Sequence, residues 1–144
     1  SGFELKEKIE KIGLDRFVEY QGKKYGFEKE KAFADADIFA FPTFYRNECF
    51  PLVALESMQH SLPIISTKEG AIPEIVQDGI TGYLVTKQNS QALADKLEIL
   101  IKNPELRKEM GRAGKRLYEE KFTLEIFEKR IVEILQTVLN DTIA

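Results

Sequence analysis

The sequence predicts an α/β fold: a parallel sheet with helices on both faces, followed by a helical tail. Three observations predict it. Short, near-continuous apolar runs at Ile38–Phe41, Pro63–Ser66 and Tyr83–Val85 read as strands of a parallel sheet, which has both faces covered. Segments of helical periodicity alternate with these runs, as in βαβ units. From about residue 89 the strand signals stop and only helical stripes remain.

In order, Leu5, Ile9 and Ile12 recur at helical spacing among Lys and Glu, and Gly13 ends that run. Phe17–Tyr20 reads as a short strand closed by the loop 21–26, and a second short helix spans about 27–34. Ile38–Phe41 then reads as a strand buried on both faces, stopped by Pro42-Thr43. A helix with Ala54, Leu55 and Met58 on its apolar side runs to about His60. After the strand at Pro63–Ser66 and the loop Thr67–Gly70, Pro73 opens a short helix through Val76. Turn signals at Asp78-Gly79 and Thr81-Gly82 precede the last strand. In the tail, Asn89 or Ser90 starts a helix with Leu93, Leu97, Leu100 and Ile101 on one face. Asn103-Pro104 ends it and starts another, striped by Leu106, Met110, Ala113 and Leu117. Thr123 caps the final helix, with Phe122 and Phe127 as a hydrophobic staple and Phe127, Ile131, Ile134, Leu135 and Val138 as its buried face.

At 144 residues the chain is one domain's worth, with sheet-forming residues over about 1–88 and the helical tail over about 89–144. It opens Ser1-Gly2 without methionine and enters a helix at once, so we expect a fragment of something longer. Its 21 basic and 24 acidic side chains give a net charge of -3, a balance that asks for no nucleic acid. No apolar run nears the roughly 20 residues that span a bilayer, and the expected location is cytoplasmic. One cysteine and one histidine suggest neither a disulfide nor a zinc set, and no bound cofactor is expected.

The stretch Asn47–Glu56 draws the chemistry. It follows a strand, and ligands of open parallel sheets bind in the loops at the strands' carboxyl ends. It then enters a helix, whose N-terminus offers unpaired backbone N–H groups and a positive dipole end. Glu48 stands in the loop and Glu56 in the helix, where a step of 100° per residue puts it in one polar sector with Gln59 and His60. The eight-residue spacing by itself means little: with 18 Glu in the chain, about two such pairs arise by chance, and three exist. A solvated Glu56 is the plain alternative.

Several blocks in this region occur together. They are Ala36–Thr43, Glu48–Met58, Leu62–Thr67, Gly70–Val76 and Asp78–Val85. In order and spacing they resemble the C-terminal lobe of retaining glycosyltransferases of family 4, over at least Phe17 to Val85. The resemblance implies a Rossmann-like lobe of the two-lobed GT-B fold, here incomplete at its N-terminus. It implies an enzyme that moves a sugar from a nucleoside-diphosphate sugar to an acceptor without a metal, the helix dipole and basic side chains offsetting the leaving-group charge. By that resemblance Glu48 lies beside the donor sugar near the reacting carbon, Glu56 accepts from the ribose hydroxyls, and backbone N–H groups at the helix start hold the pyrophosphate. Pro51 stands where many members have glycine and has no N–H, so these contacts fall to Cys49, Phe50, Leu52 or Val53. Gly22, Lys23 and Tyr25 correspond to the family's nucleobase loop. The family's Arg and Lys that face the diphosphate, and its N-terminal acceptor-binding lobe, lie outside this chain, and the piece alone is expected to be inactive.

Other features compete weakly. Cys49 and His60 are about three helical turns apart, too far for a Cys/His nucleophile. Lys108, Arg112, Lys115 and Arg116 form a basic face that could make peripheral contact with anionic lipid, but Glu105, Glu109, Glu119 and Glu120 dilute it. Two alternative functions stay open: a GT-B epimerase of nucleotide sugars, against which the single histidine argues, and a non-catalytic nucleotide-sugar-binding or interaction module.

Overall fold

The computed structural model describes residues 2–143. The chain divides into two compact units, Ser1–Ala34 and Asp35–Ala144.

The first unit contains helices α1 (Gly2–Lys11) and α2 (Gly26–Ala34). Gly13, at φ +71°, ends the first as expected: the Gly13 N–H bonds to the Glu10 carbonyl at 3.0 Å and the Leu14 N–H to the Ile9 carbonyl at 3.0 Å. This pairing consumes carbonyls that the last turn would leave open. The expected strand Phe17–Tyr20 does not form. The N–H groups of Phe17 and Val18 both bond back to the Leu14 carbonyl at 2.9 Å, so the segment is a turn and then irregular. A short apolar segment becomes a strand only where a neighbouring strand supplies the ladder, and none of the three described strands pairs with it.

The second unit begins with β1 (Phe39–Phe41), α3 (Leu52–Gln59), β2 (Ile64–Thr67), α4 (Ile72–Ile75) and β3 (Gly82–Val85). It continues with α5 (Ser90–Lys102), α6 (Pro104–Lys121) and α7 (Leu124–Ile143). The strands form one parallel sheet in the order β1-β2-β3, with Phe41 beside Ser66 and Ser66 beside Leu84. Because alternate strand residues face opposite ways, two cores result. Phe39, Phe41, Ile64 and Leu84 pack with Ala54, Leu55 and Met58 of α3, Ile72 and Ile75 of α4 and Leu117 of α6. Ile65, Tyr83 and Val85 pack with Leu93, Leu97 and Leu100 of α5 and with Leu106 and Met110 of α6. Helices therefore cover both faces. Each fully buried Ile, Leu or Met side chain contributes roughly 1.5–3 kcal/mol, and α6 serves both cores, its first half on one and its second half on the other. The predicted caps form: Asn89 accepts from the Ala92 N–H at 2.9 Å, Asn103 from the Leu106 N–H at 3.1 Å and Thr123 from the Ile126 N–H at 3.3 Å.

Three burial expectations are corrected. β1 is an edge strand of the described sheet: Phe39 and Phe41 are half-buried against the α3 core, but Ala40, on the other face, is exposed. Ile101 is 62% exposed, because it lies about 80° around the helix from Leu93 while Leu97 and Leu100 stay within about 40° of it. The stripe of α7 is not buried: Phe127, Ile131, Ile134, Leu135 and Val138 are all exposed. Periodicity fixes which residues share a helix face, but it does not supply a surface to cover that face. Phe127, at 60% exposure, completes no covered staple, and the ring that Phe122 meets is that of Phe50.

Candidate active site

The loops after β1, β2 and β3 leave the same edge of the sheet because the strands are parallel. The first of them carries Glu48. It is tied to β2 by two hydroxyls, Ser66 donating to the Phe41 carbonyl at 2.6 Å and Thr67 to the Thr43 carbonyl. Inside the loop the Tyr45 N–H donates to the Thr43 hydroxyl at 3.2 Å and the Glu48 N–H to the Tyr45 carbonyl at 3.0 Å. The Glu48 side chain is half-buried at the loop's end. A concave patch lined by Thr43, Phe44, Tyr45 and Arg46 lies on the same loop. Arg46 thus places a cation within two residues of Glu48, a signal present in the sequence that motif matching passed over.

Pro51 is the N-cap of α3, buried, with φ -75° and ψ 102° and no side chain to cap the first turn. Its carbonyl accepts the Ala54 N–H at 3.0 Å. The N–H groups of Leu52 and Val53 precede the first bond inside the helix and so open outward from its N-terminal end. Leu52 itself is 67% exposed. The buried side of α3 is Ala54, Leu55, Ser57 and Met58. Glu56 is half-buried on the opposite side, next to Leu52 and Gln59. Ser57 adds no polar burden to the core, since its hydroxyl donates to the Ala54 carbonyl at 2.7 Å.

Cys49 is exposed, its thiol 3.6 Å from the Asn47 carbonyl. The Phe50 ring packs on the Phe122 ring, centroids 6.1 Å apart and planes at 59°. Phe50 is therefore held by the end of α6. Gly22, Lys23 and Tyr25 belong to the first unit, in the irregular segment between α1 and α2, where Tyr25 is exposed. Among the described residues no group of three or more His, Cys, Asp or Glu is arranged to hold a metal ion, and no helix is long and apolar enough to cross a membrane.

The site has a second layer where the loop Thr67–Gly70 meets the block Gly70–Val76, and its contact with the Glu48 loop is not legible in the sequence. Gly70, at φ +51°, lies so close to the Glu48 loop that a Cβ there would stand 1.8 Å from the Glu48 carbonyl oxygen. The Ala71 N–H donates to the Cys49 carbonyl at 2.9 Å.

A parallel sheet with helices on both faces, and a carboxylate loop leading into a helix N-terminus at its carboxyl edge, defines the class: a lobe of the parallel α/β type. The particular family follows from comparison. A sequence model of the glycosyl transferases group 1 matches residues 2–117, and the chain belongs to that family. It is 38% identical over 108 residues to an uncharacterized glycosyltransferase of Methanocaldococcus jannaschii, a match that covers 75% of this chain and 30% of the relative. Among solved structures it is similar to HepE of Anabaena in complex with UDP, with a TM-score of 0.84 and 25% identity over 93% of this chain and 36% of that one. It is also similar to the C-terminal domain of the group 1 glycosyl transferase LpcC from Francisella tularensis, with a TM-score of 0.72 and 35% identity over 84% of this chain and 62% of that one. The fold is that of one lobe of a GT-B glycosyltransferase. The chain spans about a third of the length of the curated relatives it matches.

Proposed function

We propose that this chain is the donor-binding lobe of a retaining glycosyltransferase of family 4, which moves a sugar from a nucleoside-diphosphate sugar to an acceptor held by a second lobe. The observation that carries the reading is the junction of the Glu48 loop with the start of α3 at the carboxyl edge of the sheet, inside the stretch matched by the family. In this reading Glu56, on the open side of α3, accepts hydrogen bonds from the ribose hydroxyls. The backbone N–H groups of Cys49, Phe50, Leu52 and Val53 receive the diphosphate. Here the partial positive charge of the helix end stabilises the charge that grows on the leaving group, so that no metal is needed.

Glu48 stands at the donor sugar, where its carboxylate stabilises positive charge developing at the anomeric carbon as the bond to the diphosphate breaks. Gly22, Lys23 and Tyr25 are assigned to the nucleobase by the family resemblance of their loop. The crystallised relative holds UDP, and another structure of the same protein holds UDP-glucose. That support makes UDP the first nucleotide to try.

The test is calorimetric titration of the full-length protein with UDP, GDP and ADP. One of them binds tightly, and Glu56→Ala weakens that binding by roughly ten- to a hundredfold, the value of one hydrogen bond to a charged acceptor. Unchanged affinity in Glu56→Ala would overturn the ribose assignment. Glu48→Gln lowers turnover far more than it changes the affinity for the nucleotide.

A further inference from the structure

The loop that holds Glu48 does not fix itself. Its backbone at Glu48 and Cys49 rests on the turn after β2. Gly70 touches the Glu48 carbonyl with no space for a Cβ, and the Ala71 N–H holds the Cys49 carbonyl at 2.9 Å. That turn is held in its own place by Glu69. The Glu69 carbonyl accepts the Ile72 N–H at 3.1 Å, and its carboxylate, on a side chain only 13% exposed, meets the Lys87 ammonium at 2.7 Å. Lys87 lies just past the end of β3 and is itself 56% exposed. A chain of contacts therefore runs across the carboxyl edge, from the loop after β3 through the turn after β2 to the loop after β1.

We propose that Lys87 is a positioning residue for Glu48, acting through Glu69 and the Gly70-Ala71 turn. The proposal rests on the reading of Glu48 given above. An exposed ion pair contributes little on its own, but this one has a largely withdrawn carboxylate at one end. Without Lys87 that carboxylate must move toward water or leave its charge uncompensated, and either shift displaces the turn. The contact at Gly70 has no slack, so a displaced turn moves the Glu48 carbonyl with it. Catalytic groups are sensitive to such displacements because they act only in a narrow geometry. Glu56 and the N–H groups of Leu52 and Val53 stand in α3, outside this chain of contacts, whereas the Cys49 and Phe50 N–H groups share peptide units with the two held carbonyls, so nucleotide binding loses only part of its contacts.

The experiment uses the full-length protein and two readouts. Affinity is measured by calorimetry with UDP, GDP and ADP. Turnover is measured as nucleoside diphosphate released from UDP-glucose, GDP-mannose or ADP-glucose, where the anomeric C–O bond breaks and water supplies the new hydroxyl. Lys87→Met is expected to lower turnover about fivefold or more and to weaken nucleotide binding by a smaller factor. Lys87→Arg restores most of the turnover.

In a Glu48→Gln background Lys87→Met costs nothing further, and in a Glu69→Gln background likewise, because contacts in series are not additive. Full multiplication of the Lys87 and Glu48 effects, or wild-type turnover in Lys87→Met, would overturn the inference and leave the reading of Glu48 intact. A Lys87 effect that persists undiminished without Glu69 would also overturn it, since Lys87 would then be touching the donor directly. If the unaltered protein releases no diphosphate from any of the sugars, the reading of the site falls and this inference falls with it.

Discussion

Glu48 and Glu56 owe their candidacy to position, because their spacing is what chance gives in so glutamate-rich a chain. Glu48 ends a loop pinned to the neighbouring strand, and Glu56 faces away from the core of its helix. Between them Cys49 is exposed and gives a direct probe. If the diphosphate sits on the amides around it, nucleotide at ten times its dissociation constant slows alkylation of Cys49 about tenfold. Peptide mass spectrometry on the full-length protein reads this, and an unprotected thiol at saturation would place the diphosphate elsewhere. Gly111 offers a stability test at the same scale. A Cβ there would lie 1.9 Å from the Ser61 carbonyl oxygen, on backbone that cannot swing aside. Gly111→Ala should destabilise the chain by about 2 kcal/mol or more, measured by urea unfolding.

At the scale of elements, the caps were legible and the coverings were not. Asn89, Asn103 and Thr123 each precede a helix and each accepts the backbone N–H three residues on. That rule is local, so three or four residues of sequence are enough to apply it. Asn103→Ala should cost about 1 kcal/mol, visible as a lower unfolding midpoint with an unchanged slope against denaturant. The stripe of α7 was equally legible as a stripe, yet Phe127, Ile131, Ile134, Leu135 and Val138 are exposed. Shortening the chain to end after Ile126 should therefore change the stability of the remaining unit by less than about 1 kcal/mol. A larger loss in the same urea titration would show that α7 supports the core. Phe17–Tyr20 failed for the corresponding reason in a sheet: a strand is a relation between segments, and the amides of Phe17 and Val18 had already found the Leu14 carbonyl.

For the whole molecule, the sheet works as a partition between two cores. Ile65 belongs to one and Ile64 to the other, and both are fully buried. Ile65→Ala should destabilise by about 2–5 kcal/mol, a large share of what a domain of this size possesses. By itself the sequence determined the order of strands and helices after residue 38, the helix ends and the class of fold, and it singled out the stretch proposed to carry the chemistry. Those follow from periodicity, cap residues and a loop at a strand's end, which are properties of neighbouring residues. Only the tertiary structure decided which stripes are covered, that Phe50 meets Phe122, and that Glu48 rests on Gly70 with Glu69 and Lys87 behind it. Those contacts join residues 18 or more positions apart, and what brings them together is the parallel register of three strands, which places their three following loops along one edge.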